Sequence, residues 1–337
     1  MRFVAFVEAV DHVCTRYRVS AFRHAFADAG IAVEPVALPQ TLLGRVRAYH
    51  AARTADAVLV QRKLLPAGEI AILRRFAKRL VFDFDDAVWL RDSYSGKGFD
   101  SPRRAARFRA VVGASDLVVA GNSYLAAEAE RFAPGRVAVV PTCVNPAAYP
   151  VCPHTRPPGD VRLVWVGSAS TLQGLERFRR VLEAIGRAVP GVRLRLICDR
   201  FLKFVYLPVD PVTWSAETEA DLIATADVGI GWVPDDPWSR GKCGLKVLQY
   251  QAAGLPVIAN PVGVQADFVT RETGIRATTE AEWVEAVRRL AASPDLRRDL
   301  GHTGRTRVEE QYSLTAGAQR WLELLADLTL SERRRVG

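Results

Sequence analysis

The chain has 337 residues, of which 49% are hydrophobic and 25% are charged. This length and composition suit two domains with full cores and exclude a disordered or fibrous protein. Its five cysteines lack CxxC or CxxH spacing, which argues against a disulfide framework or a zinc cage. No apolar run approaches the roughly 18 residues of a membrane span, and residues 1–10 contain no signal-peptide core. We therefore expect a soluble, cytoplasmic protein.

The net charge of +9 is concentrated in the first half. Residues 1–150 contain 21 Lys and Arg against 14 Asp and Glu, which gives +7 for that half. Its arginines cluster in the segments 45–53, 74–79 and 103–109, which suit phosphate-bearing partners or peripheral contact with an anionic inner membrane surface. Solvated helix faces are the alternative. No nucleic-acid-binding motif is present, so nucleic acid is not an expected partner.

Short apolar runs alternate with amphipathic segments of helix length in the first half. This pattern is typical of parallel strands covered by crossover helices. The predicted strands are 2–7, 32–37, 57–61, 80–84, 117–120 and 137–140. The predicted helices are 17–29, 66–78, 103–113 and 122–133. This half therefore reads as a doubly wound α/β domain.

A proline-rich segment separates this domain from a second series. Six prolines lie between residues 141 and 160, a density that helices and central strands do not tolerate. The second series predicts strands 163–166, 193–198, 228–233 and 256–259, and helices 172–188, 216–226, 246–253, 279–292, 295–310 and 315–330. We predict an amino-terminal domain at 1–145, a linker at 146–160, a carboxyl-terminal domain at 161–314, and a final helix at 315–337 that packs back toward the first domain. Because ligands bind beyond the carboxyl ends of such strands, the site is expected between the halves.

The run 235–259 is the most informative motif, since the sequence lacks GxGxxG, P-loop, GxSxG and HExxH signatures. A predicted strand ends, a turn with Gly241 and Gly244 follows, and a helix begins beside Lys242 and Lys246. Helix N–H groups, the helix dipole and two lysines suit a diphosphate. Gln249, one turn further on, suits a ribose or sugar hydroxyl. In the alternative interpretation, the glycines only shape the turn.

The same run resembles the donor-site segment of GT-B glycosyltransferases of family 4, and the resemblance extends over nearly the whole chain. Residues 246–259, KVLQYQAAGLPVIA, are similar to the family pattern KLLEYMAxGxPVVA. Residues 226–230 and 260–264 match its flanks, and 115–123 and 139–145 match the end of its amino-terminal domain. The resemblance implies two Rossmann-like domains, a nucleotide-diphosphate sugar as co-substrate, a retaining reaction, and no metal or other cofactor.

The sequence departs from the family pattern at two places. The usual E-x7-E glutamates are replaced by Gly241 and Gln249, and a G-R-x4-K pattern is replaced by GSAST at 167–171. The negative charge of the diphosphate would then be neutralised by Lys242, Lys246 and Arg240. The hydroxyl groups of the GSAST turn would donate further hydrogen bonds to it. The predicted donor-site residues are Gly167, Ser168, Ser170, Thr171, Trp214, Arg240, Gly241, Lys242, Cys243, Gly244, Leu245, Lys246 and Gln249. Trp214 is proposed to hold the nucleotide base, with core packing as the alternative.

The acidic run Asp83, Asp85 and Asp86 follows a predicted strand of the first half. We predict that Asp83 binds acceptor hydroxyls and that Asp85 and Asp86 stabilise positive charge at the anomeric carbon. A D-x-D pattern also suits a divalent metal, but the resemblance implies a metal-independent enzyme. Capping of the following turn is the alternative role.

The loop after the first strand supplies the remaining candidates. Arg16 and Arg18 are predicted to bind the acceptor, and His12 is a catalytic candidate beside Lys246 and the two aspartates. The predicted function is transfer of a sugar to a hydroxyl of a glycan, lipid-linked or small-molecule acceptor. The alternatives are a sugar-nucleotide epimerase of the same fold and a non-catalytic sugar-nucleotide-binding protein.

Overall fold

The computed structural model describes the backbone of residues 1–336 and the side chains of residues 1–328. The chain forms two compact units. The first consists of Met1–Cys143, Asp236–Cys243 and Leu314–Gly337, and the second of Val144–Asp235 and Gly244–Ser313. Among the described residues, no helix combines the length and hydropathy needed to cross a membrane.

The first unit is built on a six-stranded parallel sheet with the order β2-β1-β3-β4-β5-β6. Its strands are β1 (Arg2–Val7), β2 (Ala32–Ala37), β3 (Ala57–Gln61), β4 (Leu80–Phe84), β5 (Leu117–Ala120) and β6 (Val137–Val139). Its helices are α1 (Val13–Arg18), α2 (Arg23–Asp28), α3 (Leu42–Ala51), α4 (Ala67–Phe76), α5 (Pro102–Ala114), α6 (Ser123–Glu130) and, at the chain end, α14 (Leu314–Val336).

The central strands of this sheet are buried on both faces. Every residue of β4 and β5 is buried, as expected for apolar runs covered by helices on each side. Alternate side chains of β4 enter two different apolar clusters, with Phe82 in one and Val81 in the other. These two strands therefore present only their ends, and the loops that follow them, for chemistry.

Helix α14 covers one of these clusters. Its Trp321 lies edge-on to Phe26 with ring centroids 6.3 Å apart, and Ala318 and Leu325 join the same apolar cluster as Phe3. The part of α14 from Ala318 to Leu325 thereby belongs to the first unit's core.

The second unit contains another six-stranded parallel sheet, with the order β12-β11-β10-β7-β8-β9. Its strands are β7 (Val161–Val166), β8 (Val192–Cys198), β9 (Val209–Thr213), β10 (Val228–Gly231), β11 (Val257–Ala259) and β12 (Gly274–Arg276). Its helices are α7 (Ala169–Arg177), α8 (Arg179–Ala188), α9 (Glu219–Ala224), α10 (Leu245–Ala252), α11 (Gln265–Phe268), α12 (Glu280–Ala292) and α13 (Pro294–Gln311).

The proline-rich segment runs along this second unit. The N–H of Cys152 donates to Ala253 O at 2.9 Å, and the N–H of Gly159 donates to Ala291 O at 2.9 Å. The guanidinium of Arg305 donates to Tyr149 O at 3.0 Å. These backbone contacts fix the segment against the helices of the unit.

The predicted fold class is confirmed, but several element boundaries were wrong. The helix predicted at 17–29 is two short helices, α1 and α2, joined by a 3₁₀ turn. The helix predicted at 172–188 breaks at Phe178, whose ring packs at 4.6 Å from Trp283 in the core. Strands β9 and β12 were missed: β9 is partly exposed and contains a proline, and β12 has only three residues.

Candidate functional site

In the second unit, Lys246 lies over a buried indole at the carboxyl end of β7. Its Nζ is 3.9 Å from the ring centroid of Trp165, a cation–π arrangement. Gly167 follows β7, and a Cβ at this position would lie 2.3 Å from the Trp165 ring. Only glycine therefore lets the loop after β7 pass this close to the indole, and the indole in turn holds the lysine.

Helix α10, which carries Lys246, begins after an unusual backbone turn. Its N-cap residue is Gly244, with φ of 65° in the left-handed region, where glycine has no steric penalty. The first N–H groups of a helix have no acceptor within the helix and favour a negative group. Lys246 is thus placed in the first turn of a helix suited to an anion.

A carboxylate that the sequence analysis missed lies next to Gln249. Glu219, the first residue of α9, accepts a hydrogen bond from Gln249 Nε2 on one oxygen and from Trp214 Nε1 on the other. Gln249 Nε2 also donates to the Tyr149 hydroxyl at 3.2 Å. Glu219 is only 5% exposed, whereas the Trp214 side chain is 40% exposed. The structure thus places a carboxylate beside position 249, where the family pattern has its own glutamate, and it fixes an exposed indole.

The GSAST turn is bonded largely within the second unit. The N–H of Ser168 donates to Thr171 Oγ1 at 3.1 Å, and the hydroxyls of Ser168 and Ser170 lie 2.9 Å apart. The N–H of Ala169 donates to Asp199 Oδ1 at 2.6 Å. A hydrogen bond from the Cys198 thiol and backbone N–H groups lower the pKa of Asp199. An ionised carboxylate therefore already occupies the start of α7, where the sequence predicted a phosphate.

The predicted donor run is divided at the bond between Cys243 and Gly244. Arg240, Gly241, Lys242 and Cys243 belong to the first unit, whereas Gly244, Leu245, Lys246 and Gln249 belong to the second. The first-unit part is held by Asn122, whose Nδ2 donates to Gly241 O and Lys242 O, each at 3.2 Å. The Cys243 thiol is buried, and burial raises its pKa well above the usual value. These contacts give Gly241 and Cys243 packing roles within the first unit.

In the first unit, Asp83 and Arg18 form a buried ion pair. Asp83 is fully buried and Arg18 is 1% exposed. Arg18 Nε donates to Asp83 Oδ2 at 3.1 Å, its Nη2 bonds Asp83 Oδ1, and its Nη1 donates to Val140 O at 2.7 Å. Burial alone would lower the pKa of Arg18, but the Asp83 carboxylate raises it above the usual value. The two residues predicted to bind an acceptor thus bind each other.

Asp86 is bridged by two cations. Its carboxylate contacts Arg62 Nη2 on one oxygen and Lys242 Nζ at 2.9 Å on the other. Burial raises the pKa of Asp86, but the charges of Lys242 and Arg62 outweigh this and hold the pKa below its usual value. Asp85 lies 3.5 Å from Arg62. Both oxygens of Asp83 and of Asp86 are therefore occupied by cationic side chains, an arrangement that does not fit a divalent metal ion.

Arg62 and Lys242 are themselves restrained. Arg62 is a non-glycine residue with φ of 62°, a conformation that persists only where surrounding contacts enforce it. Its Nη1 also donates to Cys14 Sγ at 2.8 Å. The Nζ of Lys242 lies 3.6 Å from the ring centroid of Trp238. The Asp86 cluster is thus a fixed group of charges after β4.

The remaining first-unit candidates lie in and beside α1. His12 is the N-cap of α1, and its Nδ1 accepts a hydrogen bond from Cys14 N at 3.2 Å. The guanidinium of Arg16 lies over the Tyr17 ring at 4.8 Å and donates to the Tyr17 hydroxyl at 2.9 Å. The Nδ1 of His12 thus caps the helix, and its Nε2 takes no part in the cap.

One further cluster has the composition of a metal site. Ligand atoms of Cys152, His154 and Asp227 lie within 4.8 Å of one another, and all three residues are buried. Each atom already has a partner: the Cys152 thiol donates to Ala226 O at 3.0 Å, His154 Nε2 lies 2.8 Å from Gly254 O, and Asp227 binds Arg156 at 3.1 Å. The cluster therefore attaches the proline-rich segment to the rest of the second unit.

Two six-stranded parallel sheets of the Rossmann type, each in its own unit, are the pattern of the GT-B fold. Solved structures of this class superpose on nearly the whole chain. They include sucrose-phosphate synthase from Thermosynechococcus elongatus, with a TM-score of 0.75, 18% identity, and coverage of 98% of this chain and 99% of that one. HepE of Anabaena, in complex with UDP-glucose, has a TM-score of 0.68 and 14% identity, and the match covers 97% of this chain and 100% of that one. WaaG, a glycosyltransferase involved in lipopolysaccharide biosynthesis, has a TM-score of 0.63 and 14% identity, and the match covers 95% of this chain and 98% of that one.

Residues 176–323 match the family model described as "Glycosyl transferase-like". No curated protein matches the sequence significantly. The chain therefore has the GT-B fold, and its residues 176–323 are similar to the glycosyl transferase-like family. The matched region contains Trp214, Glu219, Lys246 and Gln249.

Proposed function

We propose that the protein is a retaining glycosyltransferase that moves a sugar from a nucleotide-diphosphate sugar to a hydroxyl of a glycan, lipid-linked or small-molecule acceptor. The observation that carries the proposal is the group of Lys246, Glu219, Gln249 and Trp214 in the second unit. These residues lie in the glycosyl transferase-like region, on a fold shared with HepE, whose crystal structure is a complex with UDP-glucose.

The proposed donor site uses each of these groups for one part of the nucleotide sugar. Trp214 offers an exposed ring face on which a base can stack. Gln249, held by Glu219, lies near the ribose. Lys246 and the N–H groups at the start of α10 stabilise the departing diphosphate, where negative charge increases as the glycosidic bond breaks. UDP-glucose is the first donor to test, since it is bound in HepE.

We assign the acceptor to the basic first unit, with Asp85, Asp86 and His12 as its candidate catalytic groups. The proposal that the sugar keeps its anomeric configuration rests on the resemblance of residues 246–259 to the family segment. In this reaction the leaving phosphate helps to deprotonate the acceptor hydroxyl. Metal independence is supported by the cations that occupy Asp83 and Asp86. A cytoplasmic location and peripheral membrane contact through the basic half remain part of the proposal.

Nucleotide binding is the direct test of this proposal. We expect one of UDP, GDP, ADP and CDP, or its sugar conjugate, to raise the melting temperature selectively in a thermal-shift panel, with or without magnesium. A ligand at a hundredfold excess over its Kd stabilises the folded state by about 2.7 kcal/mol. The selective nucleotide then identifies the base of the donor.

The products distinguish transfer from its alternatives. Conversion of the nucleotide sugar to an epimer without any acceptor would overturn the transferase assignment in favour of an epimerase. Saturable binding with neither transfer nor hydrolysis would overturn it in favour of a binding protein. Absence of a shift with every nucleotide would contradict the donor site itself.

Glu219 is expected to act as a positioning residue for this site. In Glu219→Ala, Trp214 Nε1 and Gln249 Nε2 lose their shared acceptor, and a lost hydrogen bond to a charged group costs enough to weaken nucleotide binding about tenfold. We expect the donor KM to rise more than kcat falls. Isothermal titration with the selected nucleotide and steady-state kinetics measure both effects.

Glu183→Ala is the matched control, because Glu183 is also a helix carboxylate that accepts two hydrogen bonds, here from the N–H groups of Val205 and Tyr206. It lies on α8, whereas Gln249 lies on α10. Equal nucleotide affinity in Glu219→Ala and the wild-type protein would show that the carboxylate has no part in the donor site.

A further inference from the structure

A cavity lies at the edge of the second unit's sheet. It has a volume of about 820 Å³, and its lining includes Arg271, Ile275, Arg276, Arg289, Leu296 and Leu300. Pockets that bind small molecules have volumes of roughly 300–1,000 Å³. The lining comes from the loop before β12, from β12 itself, and from the facing parts of α12 and α13.

The charge of this cavity is strongly positive. Three arginines face it against one carboxylate, that of Glu272. Arg271 and Arg289 make no ion pair with any side chain that the structure describes. Their neighbour Arg288, in contrast, is paired with Glu285 at 2.6 Å. Unpaired guanidinium groups around one cavity favour a phosphate, which they can bind through paired N–H donors.

The walls of the cavity are ordered before any ligand arrives. Arg276 is fixed by hydrogen bonds from its Nε to Val269 O at 2.7 Å and from its Nη2 to Ala266 O at 2.5 Å. The loop before β12 is closed by Thr273, whose Oγ1 accepts from Thr270 N at 2.9 Å and donates to Phe268 O at 3.0 Å. A preformed site loses less conformational entropy when it binds.

The floor of the cavity is apolar. Leu300 is 8% exposed and joins the core cluster of the unit, against which Leu296 and Ile275 also pack. Burial of a hydrocarbon group against these side chains is favourable at about 25 cal/mol per Å² of apolar surface. A ligand that spans the cavity therefore needs both an anionic and an apolar part.

This cavity is separate from the proposed donor site. It includes residues 270–272 of the loop that enters the amino end of β12, whereas Gly167 and Lys246 follow the carboxyl ends of β7 and β10 in the same parallel sheet. We propose that it binds a phosphate-bearing ligand with an apolar portion, with Arg271 and Arg289 on the phosphate and Leu296 and Leu300 under the apolar portion. The proposal does not depend on transferase activity.

Octyl phosphate is the probe that tests this site. We expect it to bind the full-length protein with one-to-one stoichiometry in isothermal titration, more tightly than inorganic phosphate or octyl glucoside. Removing two charged hydrogen-bond donors in the double variant Arg271→Gln and Arg289→Gln is expected to weaken octyl phosphate binding about tenfold or more. Binding by Lys246→Ala is expected to equal that of the wild-type protein, because the donor site is not involved.

Arg288→Gln is the matched control, since it removes the same charge from the adjacent position of α12 without touching the cavity. Unchanged binding by the double variant would overturn the proposal, as would equal losses in the double variant and in Arg288→Gln. Equally tight binding of inorganic phosphate would refute the apolar part, and equally tight binding of octyl glucoside would refute the anionic part. A free inorganic anion and a phosphorylated amphiphile are distinguished by the same comparison. The three substituted arginines, Arg271, Arg288 and Arg289, are exposed, and circular dichroism verifies that each variant is folded.

Discussion

Replacing Lys246 with alanine is expected to lower kcat by about 10²-fold or more, because its charge would stabilise the leaving diphosphate in the transition state. Its Nζ is held 3.9 Å from the Trp165 ring centroid, in the first turn of α10. The lysine is therefore already placed before the donor binds, so little reorganisation is needed when negative charge develops. Steady-state turnover of the nucleotide sugar identified by the thermal-shift panel measures the effect.

Lys203→Ala is the matched control for this substitution. Lys203 is an exposed lysine of the same unit in the loop between β8 and β9, and its loss is expected to leave kcat unchanged. Loss of the cation–π contact at Lys246 costs about 0.5–2 kcal/mol, so the melting temperature of each variant is measured in parallel. Turnover by Lys246→Ala at the wild-type rate would refute the assigned role.

The strands of both sheets could be predicted because their signal is local. Runs such as 80–84 and 117–120 are continuously apolar except for Asp83, and a parallel strand buried on both faces requires such a run. Edge strands are not covered on all sides, so they do not require a continuous apolar run. Strands β9 and β12 lie at the two edges of the second sheet, and neither has a long buried run that would identify it.

The partners within the site could not be predicted, because they depend on contacts between residues that are distant in sequence. Asp83 pairs with a residue 65 positions away, and Gln249 pairs with one 30 positions away. The acidic run alone indicates three carboxylates at a strand end, but not that cations occupy two of them. Glu219 has a weak signal of its own, as an acidic residue in the first turn of the predicted helix 216–226. Nothing in the sequence indicates that residues 236–243 belong to the first unit.

Arg18→Met is expected to destabilise the protein by about 3–5 kcal/mol, because it leaves the Asp83 carboxylate buried without its partner. Asp83 has no exposed surface, and Arg18 binds both of its oxygens as well as Val140 O. The guanidinium thus connects α1 to the end of β4 and to the segment after β6. The midpoint of urea-induced unfolding measures the loss.

Arg2→Met provides the comparison on the surface. Arg2 pairs with Glu34 at 2.9 Å, but the two side chains are 46% and 56% exposed, and exposed pairs contribute about 0–1 kcal/mol. If both arginine variants lowered the midpoint equally, burial would not be the source of the effect.

The double variant Arg18→Met and Asp83→Leu separates the cost of an unpaired charge from the contribution of the ion pair itself. Replacing both partners with apolar groups of similar size removes the buried charge, so we expect the double variant to be more stable than Arg18→Met alone. The Val140 carbonyl still loses its donor in this variant, which costs about 1–3 kcal/mol for a buried group, so full recovery is not expected. A double variant no more stable than Arg18→Met would mean that the lost stability came from packing or from the Val140 contact.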